Sequence, residues 1–376
     1  MEQKIYSGLD SLDNLLNILE KYDVSRILIV TGKSSFTSSG AEMFIKRALS
    51  KYKTIFFNNF DPNPRLDDAL KGIDLLNKNS IDLIIAIGGG SVLDMAKLIK
   101  ALYKTPHAAN NIVSGAQSIN DPKIPMIAIP TTAGSGSEST HFAVAYINNK
   151  KFSVADNCLM PNYAILDGRL TISASKYQKA CNVLDAISQS IESSWAVSGT
   201  HKSQELAYSA LRLCMESFRE YVNNDSLEVA QLMINASNLA GQAINISKTT
   251  SAHAWSYGIS TYYDIPHGHA VWFTLPKIFE VHSSRSDLKI NDPRGYSHMK
   301  NTMNNLNKIL GISSHLSAEK YFKQMLNSID IKADITNDLK ISKKERKNLS
   351  CAVNKERMGN NPLAFDNKAI KFIFDL

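Results

Sequence analysis

Residues 81–97 read IDLIIAIGGGSVLDMAK, and this stretch decides the fold. Its first part, IDLIIAIGGG (81–90), has the length and β-branched content of a buried strand and ends in three glycines. The residues that follow, SVLDMAKLIKALY, repeat apolar side chains at three- and four-residue spacing, which predicts a helix. A strand that enters a helix through a glycine turn is typical of a parallel α/β sheet, whose ligands bind at the carboxyl ends of the strands.

Three further apolar runs in the first half predict strands of the same sheet: ILIVTG (27–32), TIFFNNF (54–60) and IPMIAIPTTAG (124–134). From about Leu170 onwards strand-like runs almost disappear, and long stretches show helical apolar spacing. We therefore predict an α/β, Rossmann-like NAD(P)-binding domain over residues 1–170. An all-α domain over residues 171–376 is expected to bind metal and substrate.

Composition limits the classes of protein to consider. The 376 residues are 44% apolar and 20% charged, as expected for a soluble protein with two domains. No run approaches the roughly 18 apolar residues of a membrane span, and the N-terminus does not resemble a secretory signal. The four cysteines form no CxxC pair, which favours the cytoplasm. The net charge is +7, but the basic residues are interspersed with acids, so neither nucleic acid nor membrane is an expected partner.

Two small-residue turns predict the dinucleotide site. The first, GGGSVLDMAK (88–97), places Gly89, Gly90, Ser91 and Asp94 where backbone N–H groups and a helix N-terminus can receive a pyrophosphate. The second, PTTAGSGSEST (130–140), contributes the small polar side chains of Thr131, Thr132 and Ser135. Either turn alone is explained as a tight connection, and the first does not match GxGxxG. Together, at the ends of two parallel strands, they favour nucleotide binding.

The end of the first predicted strand bears on which dinucleotide binds. An acid near such a strand end usually holds the ribose hydroxyls of NAD. Here the sequence is TGKSS, with Gly32, Lys33 and Ser34 as cofactor-binding candidates. Because this stretch has no acid and Lys33 is positively charged, we expect NADPH to be preferred over NADH.

The second half contains a candidate metal site. Asp185 and Gln189 lie one helical turn apart in LDAISQSIES, and TTSAHAWSYGISTYYDIPHGHAV contains His253, Tyr257, His267 and His269. Carboxylate and imidazole together suit a divalent ion such as Fe²⁺ or Zn²⁺. Taken alone, each histidine is more often a hydrogen-bonded structural residue than a ligand.

In order along the chain, the motifs GGGSVLDMAK, PTTAGSGSEST, PNYAILDGRLT, LDAISQSIES and HAWSYGISTYYDIPHG resemble the iron-containing (group III) alcohol dehydrogenase family over about residues 5–280. The resemblance implies the dehydroquinate synthase-like fold, with the active site in a cleft between a dinucleotide-binding domain and a helical domain. It also implies a metal ion at positions Asp185, Gln189, His253 and His267. The catalytic candidates are His267, His269 and Tyr257.

Gln189 departs from the family, which carries a metal-binding histidine at this position; Tyr257 also stands where many members have a histidine. Three interpretations of Gln189 remain open. The amide oxygen or a bridging water completes the metal site, the metal binds much more weakly, or the metal is absent and hydrogen bonds polarise the carbonyl group. The first is favoured, because the other three ligands are retained.

The segments DAISQSIES, KTTSAHAWSY and VNKERMGNNPL (353–363) most resemble phosphonoacetaldehyde reductases, which carry Gln at the same position. We therefore expect NAD(P)H-dependent reduction of a small aldehyde, with phosphonoacetaldehyde as the candidate. Lys151, Ser153, Lys248 and Arg357 are candidate partners of the phosphonate, although each charge is also explained by a surface salt bridge. The alternatives are another short-chain dehydrogenase of the family, a dehydroquinate synthase-like cyclase, and a nucleotide-binding protein with a decayed site. A homodimer is the expected assembly.

Overall fold

The computed structural model describes residues 3–148, 150–312, 317–332 and 338–376. They form two compact units, of which the first contains Met1–Ala174 and Ser226–Gly241. The second contains Ser175–Asp225 and Gln242–Leu376. The boundary at residue 170 between two functional domains stays a prediction.

The first unit is built on a six-stranded sheet with the order β1-β8-β5-β4-β2-β3, in which every pairing is parallel. Its strands are β1 (Lys4–Ser7), β2 (Arg26–Thr31), β3 (Lys53–Phe57), β4 (Leu83–Gly88), β5 (Met126–Pro130) and β8 (Tyr163–Leu166). Two further strands, β6 (Phe142–Ile147) and β7 (Lys150–Ala155), form a separate antiparallel hairpin. The predicted parallel sheet is confirmed. The third strand is shorter than the predicted 54–60, because two asparagines follow Phe57, and Asn favours turns over strands.

Both faces of this sheet are covered by helices. Along β2, Leu28 and Val30 face one apolar cluster, whereas Ile27 and Ile29 face the other, as the two-residue period of a strand requires. The unit's helices are α1 (Asn14–Leu19), α2 (Ser35–Ser38), α3 (Ala41–Ala48), α4 (Leu66–Asn79), α5 (Gly90–Leu102), α6 (Ala109–Val113) and the larger part of α9 (Leu227–Ser247). The first cluster includes apolar residues of α4 and α5, and the second includes those of α1 and α3.

The second unit is helical, as predicted. Its helices are α7 (Lys176–Trp195), α8 (His201–Asn223), the last turn of α9 (Leu227–Ser247), α10 (Ser251–Tyr263), α11 (His267–Val271), α12 (Leu275–Ser284), α13 (Gly295–Leu310), α14 (Ala318–Asn327), α15 (Lys343–Cys351), α16 (Lys355–Gly359) and α17 (Asn367–Phe374). The helix α7 begins where Ser175 accepts a hydrogen bond from the backbone N–H of Gln178, and every residue from Val183 to Trp195 is buried. Within the described ranges, no helix combines the length and apolarity needed to cross a bilayer.

Candidate dinucleotide site and metal centre

The sheet of the first unit has a topological switch point at β2. The chain passes from β2 to β3 on one side and returns to β4 on the other side of β2. In open α/β sheets, ligands bind at the carboxyl ends of the strands where the order reverses in this way. The loops that follow β2, β4 and β5 contain all the residues predicted to bind the dinucleotide except Gly90, Ser91 and Asp94, which lie near the start of α5.

The two small-residue turns after β4 and β5 lie against each other. A Cβ atom placed on Gly89 would lie 3.3 Å from the Thr132 side chain, and one on Gly90 would lie 2.8 Å from the Ser135 hydroxyl. Glycine therefore lets the start of α5 approach the second turn closely. The buried hydroxyl of Thr131 has no hydrogen-bond partner among the described residues, which fits a polar ligand at this edge.

Ser91 and Asp94, both predicted to bind the cofactor, make bonds within the first unit. The N-cap of α5 is Gly89, so Ser91 lies inside the first turn, where its hydroxyl accepts a bond from the backbone N–H of Asn63 at 3.3 Å. The Asp94 carboxylate accepts bonds from the Ser137 hydroxyl at 2.6 Å and from the Val144 N–H at 3.0 Å. Burial raises the pKa of Asp94. In the structure one of its oxygens therefore supports the second turn, and the other supports β6.

Lys97 belongs to the same network, and the sequence analysis assigned it no role. Its side chain is fully buried, and its Nζ, which carries three N–H donors, lies within hydrogen-bond distance of five oxygens: Ser137 O at 2.5 Å and Oγ at 3.1 Å, Thr140 O at 2.8 Å and Oγ1 at 3.0 Å, and Phe142 O at 2.8 Å. Burial lowers the pKa of Lys97 to about 8, although Asp94 and Glu138 oppose this shift. The sequence feature that could have identified Lys97 is its position two turns beyond a glycine-rich helix start and three residues after an acid.

Lys33 has an acidic neighbour in the structure. Its Nζ lies 2.7 Å from Oδ1 of Asp61, and both side chains are exposed. Asp61 follows β3, which is the neighbour of β2, so sequence-distant residues meet at adjacent strand ends. The pairing lowers the pKa of the Asp61 carboxyl. The expectation that no acid lies near this strand end holds along the sequence but not in space.

In the second unit, three helices bring together the predicted metal ligands. Asp185 and Gln189 are on α7, His253 is on α10 and His267 begins α11. One ligand atom each from Asp185, His253 and His267 lies within 4.8 Å of the other two. The rings of His253 and His267 are edge to face, with centroids 5.2 Å apart. Gln189, only 4% exposed, lies one turn from Asp185 on the same face of α7.

The donor atoms of this group suit a divalent cation. The Nε2 atom of His253 and the Oδ1 atom of Asp185 are 3.5 Å apart, and neither has a hydrogen-bond partner in the part of the chain that is described. Leaving buried polar atoms unpaired costs about 1–3 kcal/mol each. These two atoms would both be satisfied if they held a divalent metal ion between them.

Gly268 makes this assembly of helices possible. A Cβ atom on Gly268 would lie 2.0 Å from the backbone O of Cys181 and 2.9 Å from the backbone N of Asp185. Only glycine therefore lets α11 approach the backbone of α7 at this point. The approach places His267 next to the turn of α7 that carries Asp185.

Glu192, like Lys97, is a buried residue next to a candidate site to which the sequence analysis assigned no role. It is fully buried on α7, and its carboxylate accepts hydrogen bonds from the Thr250 hydroxyl at 2.6 Å, from the Ala252 N–H at 2.8 Å and from Nδ1 of His253. Burial opposes the charged form of His253, but Glu192 and Asp185 outweigh it and raise the pKa of His253 to about 9. The sequence feature that could have identified Glu192 is its seven-residue spacing from Asp185, which places both residues on the same helix face.

Of the three residues predicted to be catalytic, the structure brings two together and separates the third. Tyr257 is near His267, with ring centroids 6.1 Å apart. His269 is two residues further along α11 than His267, so it lies on nearly the opposite face. Its Nδ1 atom is 2.9 Å from the Tyr177 hydroxyl. Burial lowers the pKa of His269.

The four predicted substrate residues lie in different places. Lys151 and the exposed Ser153 are on β7 of the first unit. Lys248 pairs with Glu356, with Nζ and Oε1 2.5 Å apart, so its charge already has a partner. Arg357 follows Glu356 in α16 of the second unit.

Comparisons with known proteins agree with this architecture. Residues 2–168 match the model of the iron-containing alcohol dehydrogenase family, and residues 179–375 match the C-terminal model of the Fe-containing alcohol dehydrogenase family. The chain therefore belongs to the iron-containing alcohol dehydrogenase family, whose members are oxidoreductases.

Individual relatives are distant. Long-chain-alcohol dehydrogenase 1 of Geobacillus thermodenitrificans is 29% identical over 72% of this chain and 70% of that protein. Phosphonoacetaldehyde reductase of Streptomyces viridochromogenes is 29% identical over 66% of this chain and 70% of that protein. Aldehyde-alcohol dehydrogenase 2 of Entamoeba histolytica is 30% identical over 71% of this chain, but the match spans only 32% of that longer protein. The crystal structure of sulfoacetaldehyde reductase from Bifidobacterium kashiwanohense in complex with NAD⁺ superposes with a TM-score of 0.86 at 23% identity, covering 99% of this chain and 96% of that chain.

Proposed function

We propose that this protein reduces a small aldehyde to the alcohol with NAD(P)H, assisted by a divalent metal ion. The observation that carries the proposal is the group formed by the buried Asp185 and His253 and the partly buried His267, two of whose donor atoms lack hydrogen-bond partners in the described structure. The facing turns around Gly89 and Thr132 supply the dinucleotide site. Hydride passes from the nicotinamide to the carbonyl carbon and a proton passes to the oxygen, which gives the alcohol and NAD(P)⁺.

Each residue has a distinct task in this reaction. Asp185, His253 and His267 would hold the ion, with the amide oxygen of Gln189 as a further ligand, and the bound ion would supply Lewis-acid polarisation of the carbonyl group. Tyr257, next to His267, is the hydroxyl best placed among the predicted catalytic residues to deliver the proton. His269 contacts Tyr177 instead, so we assign it a supporting role.

The direct test replaces His267 with alanine. We expect His267→Ala to abolish aldehyde reduction and metal binding while the affinity for NADPH, measured by fluorescence titration, stays unchanged. His201→Ala removes an exposed histidine at the start of α8 and serves as the control with wild-type turnover. Unchanged turnover in His267→Ala would refute the metal centre. Stoichiometric consumption of NAD(P)H separates a reductase from a cyclase that recycles its cofactor.

The proposed substrate is a two-carbon aldehyde with an anionic tetrahedral group, such as phosphonoacetaldehyde. This class is supported by the names of two similar proteins, a phosphonoacetaldehyde reductase and a sulfoacetaldehyde reductase. Lys151, Ser153, Lys248 and Arg357 are the candidate partners for the anion, and of these Lys248 also pairs with Glu356. A panel of phosphonoacetaldehyde and unsubstituted short aldehydes, with and without added Fe²⁺, tests the choice. Higher kcat/KM for the unsubstituted aldehydes would reject the anionic substrate.

NADPH is the proposed dinucleotide, since Lys33 offers a positive charge to its 2′-phosphate. The neighbouring carboxylate of Asp61 opposes that preference. Asp61→Asn should therefore raise kcat/KM with NADPH severalfold relative to NADH, whereas Lys33→Met should lower it. Wild-type efficiency that is equal with both dinucleotides would contradict the preference.

A further inference from the structure

We propose that Glu192 is a positioning residue that fixes the orientation of His253 so that its Nε2 atom faces the metal. This inference rests on the metal centre of the proposed function and assigns a role to a residue outside the ligand set. Glu192 is fully buried on α7, two turns beyond Asp185, and its carboxylate contacts His253 directly. A buried carboxylate without a structural or chemical task would be costly to retain.

The hydrogen bonds define which nitrogen faces which group. An ionised carboxylate only accepts, so the nitrogen that contacts Glu192 must carry a proton, and that nitrogen is Nδ1 of His253. The other nitrogen, Nε2, points to Asp185 Oδ1 at 3.5 Å. A carboxylate that accepts a hydrogen bond from the non-coordinating nitrogen of a metal-binding histidine fixes the ring orientation and makes the coordinating nitrogen more basic.

The first turn of α10 holds the carboxylate in place. One oxygen of Glu192 accepts from both the Thr250 hydroxyl and the Ala252 N–H, and the second oxygen serves His253. The Thr250 hydroxyl in turn accepts from the indole N–H of Trp195, one turn further along α7. Glu192 therefore joins α7 to the start of α10 through bonds that leave little freedom to either residue.

His267 has a different neighbour at its Nδ1 atom, which lies 3.4 Å from the Ser256 hydroxyl. That hydroxyl donates its own proton to the backbone O of His253 at 2.8 Å. A long bond to a neutral hydroxyl is weaker than a short one to a carboxylate. Ser256 is therefore a weaker partner for His267 than Glu192 is for His253.

The test is the isosteric variant Glu192→Gln. Its amide oxygen can keep the Thr250 and Ala252 bonds, but its NH₂ group then faces the Nδ1–H of His253, donor against donor. We expect the affinity for Zn²⁺, measured by competition with a chromophoric chelator, to fall about 10- to 100-fold. Asp292→Asn is the matched control, because Asp292 is also buried in the second unit but is bonded by Arg294. This control should lower the melting temperature without changing the affinity for Zn²⁺.

The first part of a second measurement uses wild-type protein only, so it does not depend on the folding of the variant. In Zn²⁺-loaded wild-type protein with ¹⁵N-labelled histidine, NMR should show Nε2 of His253 bound to the metal and a downfield Nδ1–H proton. In Glu192→Gln that proton should move upfield, which a purely structural role for Glu192 would not cause. Coordination through Nδ1 in the wild-type protein, or a Zn²⁺ affinity of Glu192→Gln within twofold of wild type, would overturn the inference.

Different results would reject the role of Glu192 and the metal-assisted function. If wild-type protein binds Zn²⁺ or Fe²⁺ and reduces aldehydes while Glu192→Gln binds the ion equally well, only the role of Glu192 is lost. If wild-type protein binds neither ion, the metal-assisted function itself is rejected.

Discussion

Gln189 stands where the family resemblance places a metal-binding histidine, and the structure shows what surrounds it. It is buried on the same face of α7 as Asp185, one turn away, while His253 and His267 meet Asp185 from two other helices. Two histidines and one carboxylate already form a ligand set that binds Fe²⁺ with open positions. The amide of Gln189 is a weaker donor than imidazole, so the ion is expected to be held less tightly and to accept a substrate oxygen more readily.

Restoring the histidine tests this account. Gln189→His should raise the affinity for Zn²⁺ at least roughly tenfold, because a neutral imidazole replaces an amide oxygen in the ligand set. Chelator competition at constant pH measures the change. Gln189→Asn, whose side chain is one methylene shorter, is the control and should bind the ion no more tightly than wild type. An unchanged affinity in Gln189→His would mean that residue 189 does not reach the metal.

Gly268 offers a second prediction for a single residue. Gly268→Ala places a methyl group against the backbone of α7, so α11 must shift away from Asp185. Overpacking of this kind costs about 1–3 kcal/mol of unfolding free energy, and the displaced His267 should weaken Zn²⁺ binding as well. Urea titration and chelator competition measure the two effects.

The control for Gly268→Ala is Gly258→Ala on α10. There the nearest atom to an added Cβ is 3.5 Å away, on Leu349. Alanine is the better helix former, so this variant should be neutral or up to about 1 kcal/mol more stable. Equal behaviour of the two variants would show that the close approach of α11 to α7 is not required.

At the scale of elements, Lys97 connects α5 to the turn that follows β5. Its ammonium group bonds the residues 137, 140 and 142, and Asp94 bonds residues 137 and 144 from one turn earlier on α5. These bonds hold the second turn against α5, the helix whose N-terminus is expected to bind the pyrophosphate. The relative position of the two turns is set by buried side chains rather than by the glycines alone.

Removal of this ammonium group should disturb both stability and dinucleotide binding. Lys97→Met leaves several buried oxygens without a donor, which should lower the unfolding free energy by about 3 kcal/mol. The dissociation constant for NADPH should rise, as measured by fluorescence titration. Lys100→Met is the control, since Lys100 is also buried on α5 but lies one turn beyond the residues that bond the turn. Wild-type NADPH affinity in Lys97→Met would contradict the role of the connection.

For the whole molecule, burial governs the chemistry of the four cysteines, which are all free thiols. Burial raises the pKa of Cys158 and of Cys181 to about 12, and it raises the pKa of Cys214 as well. The thiolate is the reactive form, and a raised pKa keeps these groups protonated at neutral pH. Cys351 is exposed.

The full or partial burial of three cysteines and the exposure of Cys351 predict how many thiols react in the native protein. At pH 8 a disulfide reagent such as DTNB should modify one cysteine of the native protein quickly, and all four after denaturation. Because the folded-state pKa values of Cys158 and Cys181 are near 12, raising the pH to 9 should not expose a second fast thiol. Cys351→Ser should remove the fast phase. Rapid modification of Cys181 in the native protein would show that the metal-binding unit opens in solution.

The local pattern of the sequence determined the elements and the type of site. The period of apolar residues separated strands from helices, the glycine turns marked the strand ends, and the helical repeat placed Asp185 and Gln189 on one face. These features depend on neighbours a few residues apart. The tertiary structure alone decided that His253 and His267 lie close to Asp185, whereas His269 contacts Tyr177. It also decided that Asp61 pairs with Lys33 and that Glu192 accepts a hydrogen bond from His253. Those pairings depend on how closely elements distant in sequence can pack, and that distance is set by side-chain volume and backbone approach, as at Gly268.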